Sequence, residues 1–508
     1  MLYTQYLNTM SPNRIMKSQN PFHAVLAIVI LATASEGKEA GSKAITFSEH
    51  IAPIVFKNCV SCHRPNEAAP FSLMSYRDIQ KRGQLIATVV EDRYMPPWHA
   101  SSKDYEFEGH RALSEQEIEL ISDWVDSGMA EGDPSKVPDL PRFTDGWQLG
   151  EPDLVVSMRE GYTLYADGPD IYRNFVIPLN LKEDKWIKAI EFRPGEPTVV
   201  HHSLFYYDTS GEARRMDELD PVPGFRTMGG GAQREGSIGG WAVGGVPKNL
   251  PDGLAYRLPG GADLILSTHF HPSGKEETEI STVGFYFSEE PPEQRFTGLQ
   301  LPPVFGALAG VDIPAGDPSY TIKDSFVLPV DVKAFGVSSH AHYLGKSMRM
   351  MATLPGGAEK EMLSISDWDF SWQEQYRYKG YVFLPAGTRL DAEVVWDNSE
   401  DNIHNPNTPP KRVTWGRESD DEMGSVTLEM VAANPEEFPK LRAEIRSHRT
   451  AAVRKAGLRR LSGGRNRAQE PAGNRRGLRQ RMLERFDGDG DGVLSPSERE
   501  AARKALGR

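Results

Sequence analysis

Thirteen histidines are spread over 508 residues, and six of them fall in three short motifs. "VVHHSLF" (199–205) carries His201 and His202, "LILSTHFHP" (264–272) carries His269 and His271, and "SSHAHYLGK" (338–346) carries His340 and His342. Neutral imidazole is a ligand for copper, zinc, iron or nickel, so the chemistry in question is metal binding. On a strand, residues i and i+2 share a face, which lets an H-x-H pair grip one ion. In "KAFGVSSHAHYL" the same period puts Phe335, Val337, Ala341 and Tyr343 on one face and Ser338, His340 and His342 on the other. Adjacent His201 and His202 face opposite ways on a regular strand, so they meet only through a bulge, a strand end or unlike ring nitrogens. A solvated strand face is the plain alternative for a lone pair, and a hydrogen-bonded imidazole is the plain alternative for His271 in particular.

A thioether adds to this set. In "DDEMGSVTLEM" (420–430) alternation places Gly424, Val426, Leu428 and Met430 on the apolar face, and Met423 with Ser425, Thr427 and Glu429 on the polar one. A methionine used as core filler belongs with the valine and leucine. Met423 instead offers a soft sulfur that favours Cu(I), so His340, His342 and Met423 could hold one ion with coordination positions left open.

The chain's two cysteines both lie in "CVSCH" (59–63). C-x-x-C-H is the attachment signature of c-type haem, with Cys59 and Cys62 joined to the vinyl groups and His63 placed on the iron. A redox dithiol or half a zinc site are the competing readings. "RYMPPWHA" offers Met95 as sixth ligand, stiffened by Pro96 and Pro97, with Met74 and His99 as alternatives. Near the C-terminus, "DGDGDGVLSPSE" fits the EF-hand calcium loop, with Asp487, Asp489, Asp491, Val493, Ser495 and Glu498 as ligands and Gly492 at the turn.

The elements that must position these groups divide the chain. "ALSEQEIELISDWVDSG" reads as a capped helix, with Ser114 and Glu117 in capping-box spacing, Ile118, Ile121, Trp124 and Val125 on one face and Gly128 as the stop. With the haem motif it makes 44–135 a small all-α cytochrome c-like domain. After a Pro- and Asp-bearing linker come short alternating runs broken by Gly, Pro, Asn and Asp, the pattern of antiparallel sandwiches or jelly rolls. A break near 288–294 separates an N-terminal β-sandwich at 150–290 from a C-terminal one at 295–432. An arginine-rich flexible linker is expected over 433–474 and the EF-hand over 475–508. The expected fold class is thus multidomain and mainly β.

The N-terminal stretch 1–34 has Arg14 and Lys17, the apolar run "AVLAIVIL" and "ATA", the makings of a signal peptide cleaved after Ala34, with an uncleaved anchor as the plain alternative. The apolar run is short for a bilayer span, so an exported, periplasmic or secreted protein with no stable membrane span is expected. A net charge of -13 argues against nucleic acid as a partner.

"VVHHSLF", "LILSTHFHP", "SSHAHYLGK", "QYRYKGYVFLPAGTRLDAEVVW", "TWG" (414–416) and "DDEM" together resemble, in order, the copper type II ascorbate-dependent monooxygenases, the family of peptidylglycine α-hydroxylating and dopamine β-monooxygenases. The resemblance spans about 150 to 432. It implies two jelly-roll domains, each with one copper, facing across a solvent-filled cleft. His201, His202 and His269 match the copper that stores and delivers an electron; His340, His342 and Met423 match the copper at which O2 and substrate react. It further implies a small organic substrate hydroxylated at a C–H bond, with ascorbate, an electron-donor protein or another one-electron reductant. Ser338 stands where peptide-amidating members have arginine, and Ser425 and Thr427 stand where they have asparagine and tyrosine, which argues against a peptidylglycine substrate. From its position directly ahead of the copper half, the fused haem is expected to relay single electrons to the three-histidine copper, with a docking or storage role as the alternative. The alternative is a non-enzymatic copper and haem electron-transfer or metal-binding protein. A zinc hydrolase is a weaker third reading, since no H-E-x-x-H motif is present.

Overall fold

The computed structural model describes residues 44–463 except 66, 68, 144, 145, 169, 227–234, 244 and 417. The leader and the calcium-loop motif lie outside the described residues. The described residues up to Arg449 form one compact unit, and Thr450 begins a second.

The first part is helical. A π-helical turn (Phe47–Ile51) runs into α1 (Ala52–Asn58), followed by α2 (Tyr76–Gln80), α3 (Gly83–Glu91) and α4 (Glu115–Asp126). The capping box at Ser114 and Glu117 forms on α4, and Gly128 beyond its end takes a φ of 92° that a side chain would resist. Ile121, Trp124 and Val125 turn inward onto Phe47, Ile51 and Val55 to make a small core.

The rest is mainly β, in antiparallel four-stranded sheets that face each other in pairs. In the first half, β1 (Ile171–Pro178), β2 (Val200–Asp208), β3 (Glu235–Ala242) and β4 (Asp263–Phe270) pair in the order β1-β4-β2-β3. Phe175, Phe205 and Leu266 from this sheet pack on Ile187, Phe192, Val283 and Phe285 from the sheet opposite. The short α5 (Glu212–Leu219) follows β2. In the second half, β5 (Phe296–Leu301), β6 (Val332–Ala341), β7 (Gln375–Leu384) and β8 (Gly424–Ala432) pair in the order β5-β8-β6-β7. Val337, Tyr376, Val426 and Leu428 pack there on Met348, Met350, Leu390 and Val394 of the facing sheet.

Three local expectations change. Phe335 was expected on the face of Val337, but the β6 register slips between Ala334 and Gly336, and the bulge turns Phe335 out of that core toward Leu250, Leu254 and Val431. The stretch after 433, expected as flexible linker, carries helix α6 (Phe438–Gly463). Phe438, Leu441 and Ile445 form a short apolar stripe that docks α6 on the second core, a pattern the surrounding arginines obscure. Finally, the chain between α3 and α4 does not stay with the helices. Trp98 and Phe107 are buried in the core of the second β half, Ser101 and Phe107 bridge to Ser364 and Tyr378, and Arg111 grips Glu374 at 3.3 and 2.6 Å. Replacing Trp98 by Ala should therefore destabilise the β half and not the helices, by about 3–5 kcal/mol in denaturant unfolding followed by β-sheet circular dichroism.

Among the described residues, no helix is long and apolar enough to cross a membrane.

Candidate metal centres

The β2–β4 pairing passes from Val200 opposite Phe270 straight to His202 opposite His269, so His201 is the extra residue of a bulge. The bulge turns two adjacent histidines to one side. His201, His202 and His269 each bring a ring nitrogen to within 4.8 Å of the others. The Nδ1 atoms of His201 and His202 are 3.0 Å apart. His269 uses Nε2 to meet Asp170 Oδ2 at 2.9 Å, while its Nδ1 is buried with no hydrogen-bond partner. Two facing Nδ1 atoms and a third left unsatisfied are what a cation would complete, since an orphaned buried nitrogen is otherwise costly. Burial drives His201 and His202 far below the ordinary histidine pKa and lowers His269 as well, which keeps their lone pairs free of protons.

Asp170 is the support of this set. It accepts from His269 and from His271 Nδ1 at 2.7 Å, and it receives the Ser419 hydroxyl at 2.9 Å. Burial opposes its charge, but the two histidine contacts outweigh that and hold the carboxyl far below the usual range. His271 thus stands behind the cluster and not in it. Tyr172, directly across from His269 on β1, stacks on its ring at 4.1 Å with planes 10° apart. Asp170→Asn should weaken metal binding at this set by about 10- to 100-fold, as losses of such outer contacts do, and leave His340 and His342 unaffected; titration with Cu(II) followed by EPR would separate the two.

The second set grows from β6 and β8. Their register places His340 opposite Ser425 and Ala341 opposite Gly424, where both strands end and deliver His342 and Met423. The rings of His340 and His342 lie 5.2 Å apart at 90°, and both line the same cavity. His340 Nδ1 faces Gln373 Oε1 at 2.5 Å and His342 Nδ1 faces the Asp421 carbonyl at 3.0 Å, so each presents Nε2 outward. Burial lowers the two pKa values to about 4 and about 3. Any Cβ on Gly424 would collide with the Trp396 ring, so the start of β8 after Met423 requires glycine.

Glu422 holds this corner together. Its fully buried carboxyl accepts from the backbone N–H of His342 at 3.0 Å, Leu344 at 2.6 Å and Met423 at 3.2 Å, and from the Trp396 indole at 2.9 Å. Desolvation pushes it up to about 8 against the pull of those donors.

At the C-x-x-C-H motif, His63 Nδ1 lies 3.0 Å from the Phe71 carbonyl, which fixes the N–H on Nδ1 and frees Nε2. Cys59 and Cys62 are unpaired. Burial pushes the Cys59 thiol up to about 12, the opposite of what a redox dithiol needs. A cavity of ≈ 2210 Å³ runs from Cys62 and Met74 to His202, His340, His342 and Met423. That exceeds the roughly 1,000 Å³ of large single-ligand clefts. Cys62 and Met74 line this cavity, whereas Cys59, His63 and Met95, the first choice for sixth ligand, do not. His99 has a buried Nε2 with no hydrogen-bond partner.

Asp170, Gln373 and Glu422 were not singled out from sequence. Ordinary polar residues gain meaning only from what folding brings beside them; Glu422, next to Met423, was the one with a positional hint.

No family model matches the chain. A curated relative, DBH-like monooxygenase protein 1 from Gallus gallus, is 23% identical over 191 residues, 35% of this chain and 30% of that protein. The chain thus matches less than a third of that relative's length. Among solved structures, an infectious bursal disease virus Gx strain structure covers 57% of this chain and 75% of its own at 11% identity with a TM-score of 0.18. The PBCV-1 VP54 structure covers 57% and 95% at 8% identity with a TM-score of 0.19. Neither score supports an inference.

Proposed function

We propose that this protein is an exported copper monooxygenase, built on two jelly-roll modules, that hydroxylates a C–H bond of a small organic molecule with O2 and draws electrons through a c-type haem. The observation that carries the proposal is the pairing of two unlike ligand sets: three imidazoles converging around the unsatisfied His269 Nδ1, and His340 with His342 and Met423 on one cavity wall. The partial likeness to a DBH-like monooxygenase supports it.

The balance is R–H + O2 + two electrons + two protons giving R–OH + H2O. Copper held by each set would supply the one-electron redox chemistry and the activation of O2. The chain's own contributions follow from its residues. Gln373 and the Asp421 carbonyl fix the His340 and His342 tautomers, so both Nε2 atoms face the same space. Met423 adds a soft donor that favours the reduced ion. Asp170 sets the His269 ring and raises its basicity. Beyond His340, Ser338, Gln375, Thr427 and Gln300 lie side by side in the sheet register and line the cavity, giving a polar floor for a substrate. Cys59 and Cys62 would hold a haem covalently and His63 would ligate its iron through the free Nε2, supplying one-electron transfer. Calcium binding by the Asp487–Glu498 loop would be structural or a docking aid.

Metal analysis with O2 electrodes tests the reading. Two copper ions per chain, and O2 uptake that depends on both copper and a one-electron reductant, are expected, with the reduced haem reoxidised when O2 and substrate arrive. A fully loaded protein that takes up no O2 with any donor would overturn it.

A further inference from the structure

The loop before β7, "DWDFSWQE" (367–374), carries Phe370, a buried aromatic that belongs to none of the hydrophobic cores. Buried phenylalanines normally sit among aliphatic side chains. Phe370 sits among metal-binding rings. Its centroid is 5.0 Å from His201 and 6.0 Å from His269, which belong to the first set, and 5.6 Å from His342 of the second. Tyr343, next to His342, flanks it at 4.7 Å. One ring therefore touches an imidazole of each ligand set, in the place where the sequence resemblance implied solvent. The contact is reinforced nearby: Ser419, from the loop that leads to Met423, bonds both Asp170 and the Tyr172 hydroxyl at 2.9 and 3.0 Å across the two β halves.

We propose that Phe370 is the bridge through which the electron stored at the His201, His202 and His269 set reaches the His340, His342 and Met423 set. This rests on the copper reading above. The step moves one electron: the ion at the first set is oxidised by one unit and the ion at the second is reduced by one, and the external one-electron reductant later restores the first. Electronic coupling falls steeply across a gap and far less steeply through atoms in contact, so an aromatic ring touching imidazoles on both sides carries it better than water would. Phe370 is a positioning residue in this scheme, since it binds neither ion.

The test is Phe370→Leu in the full chain, with Phe370→Tyr as the aromatic control and Phe370→Ala as the more drastic change. Phe370 is buried but lies outside the main cores, so Phe370→Leu should melt slightly below the wild type and remain folded, which unfolding curves of all three variants would verify. Copper stoichiometry and the EPR signal of each Cu(II) should be unchanged in Phe370→Leu and Phe370→Tyr. Transfer between the sets, followed by freeze-quench EPR after mixing fully reduced protein with O2 and substrate, should slow about tenfold or more in Phe370→Leu, a barrier increase of ~1.4 kcal/mol, and stay near wild type in Phe370→Tyr. Peroxide released per O2 consumed should rise in parallel. Equal transfer rates in wild type and Phe370→Leu, with both ions bound, would overturn the bridge and leave the monooxygenase reading standing. Failure of the wild type to bind two copper ions would instead remove the reading on which the bridge rests.

Discussion

Glu422→Ala should unfold the corner that carries His342 and Met423 and empty the second metal set while the first stays loaded. Four N–H groups end on this one carboxyl, from His342, Leu344, Met423 and the Trp396 indole, and those of the buried His342, Leu344 and Trp396 have no way out to water. Each donor left without an acceptor costs roughly 1–3 kcal/mol, so a total loss of about 3 kcal/mol or more is expected even if Trp396 falls back on the Met423 carbonyl it already approaches at 3.1 Å. Equilibrium unfolding gives the stability, and EPR of the copper-titrated protein tells which set is lost. Glu422→Gln retains one acceptor oxygen and should fall between. An alanine variant with wild-type stability and two ordinary copper signals would show that the carboxyl is not what organises this corner.

Met423→Ala should separate chemistry from folding in the opposite way. Met423 is half-buried, lines the cavity and is absent from the hydrophobic cores, so its loss should change stability by no more than about 0.5 kcal/mol. Turnover is another matter. Losing an outer contact of a metal ligand already costs about 10–100-fold, and losing the only sulfur donor of the second set should cost more than about 100-fold in product formed. O2 uptake with reductant and copper affinity at each set are the measurements. The three-histidine set should load and reduce as before.

Much of this site was legible because it obeys simple periodicities. The i, i+2 spacing of His340 and His342 on a strand predicted a shared face, and the placement of Met423 out of phase with Val426 and Leu428 predicted a sulfur away from the core. The conflict at His201 and His202 was also legible, along with its remedy, because adjacent strand residues need a bulge to look the same way. Neither Asp170 nor Gln373 announced itself. Each acts through a fold-dependent contact, 99 residues away from His269 and 33 from His340 respectively, and no local pattern encodes such a partner. The helix at Phe438–Gly463 was misread as linker for a different reason: three well-spaced apolar residues suffice to dock it, and arginine-rich composition outweighed them. The turn at Trp98 was read for its methionine and prolines, while its larger role lies in the tryptophan.

The tryptophan strap has a practical corollary for protein engineers. Expressing the β portion by itself, cut in the Pro- and Asp-bearing stretch before residue 150, would strip Trp98 and Phe107 from the interior they help fill and leave a greasy slot facing solvent. The segments behave less like beads on a string than like a buckle already fastened, so grafting a foreign N-terminal module onto these sheets requires carrying the strap along.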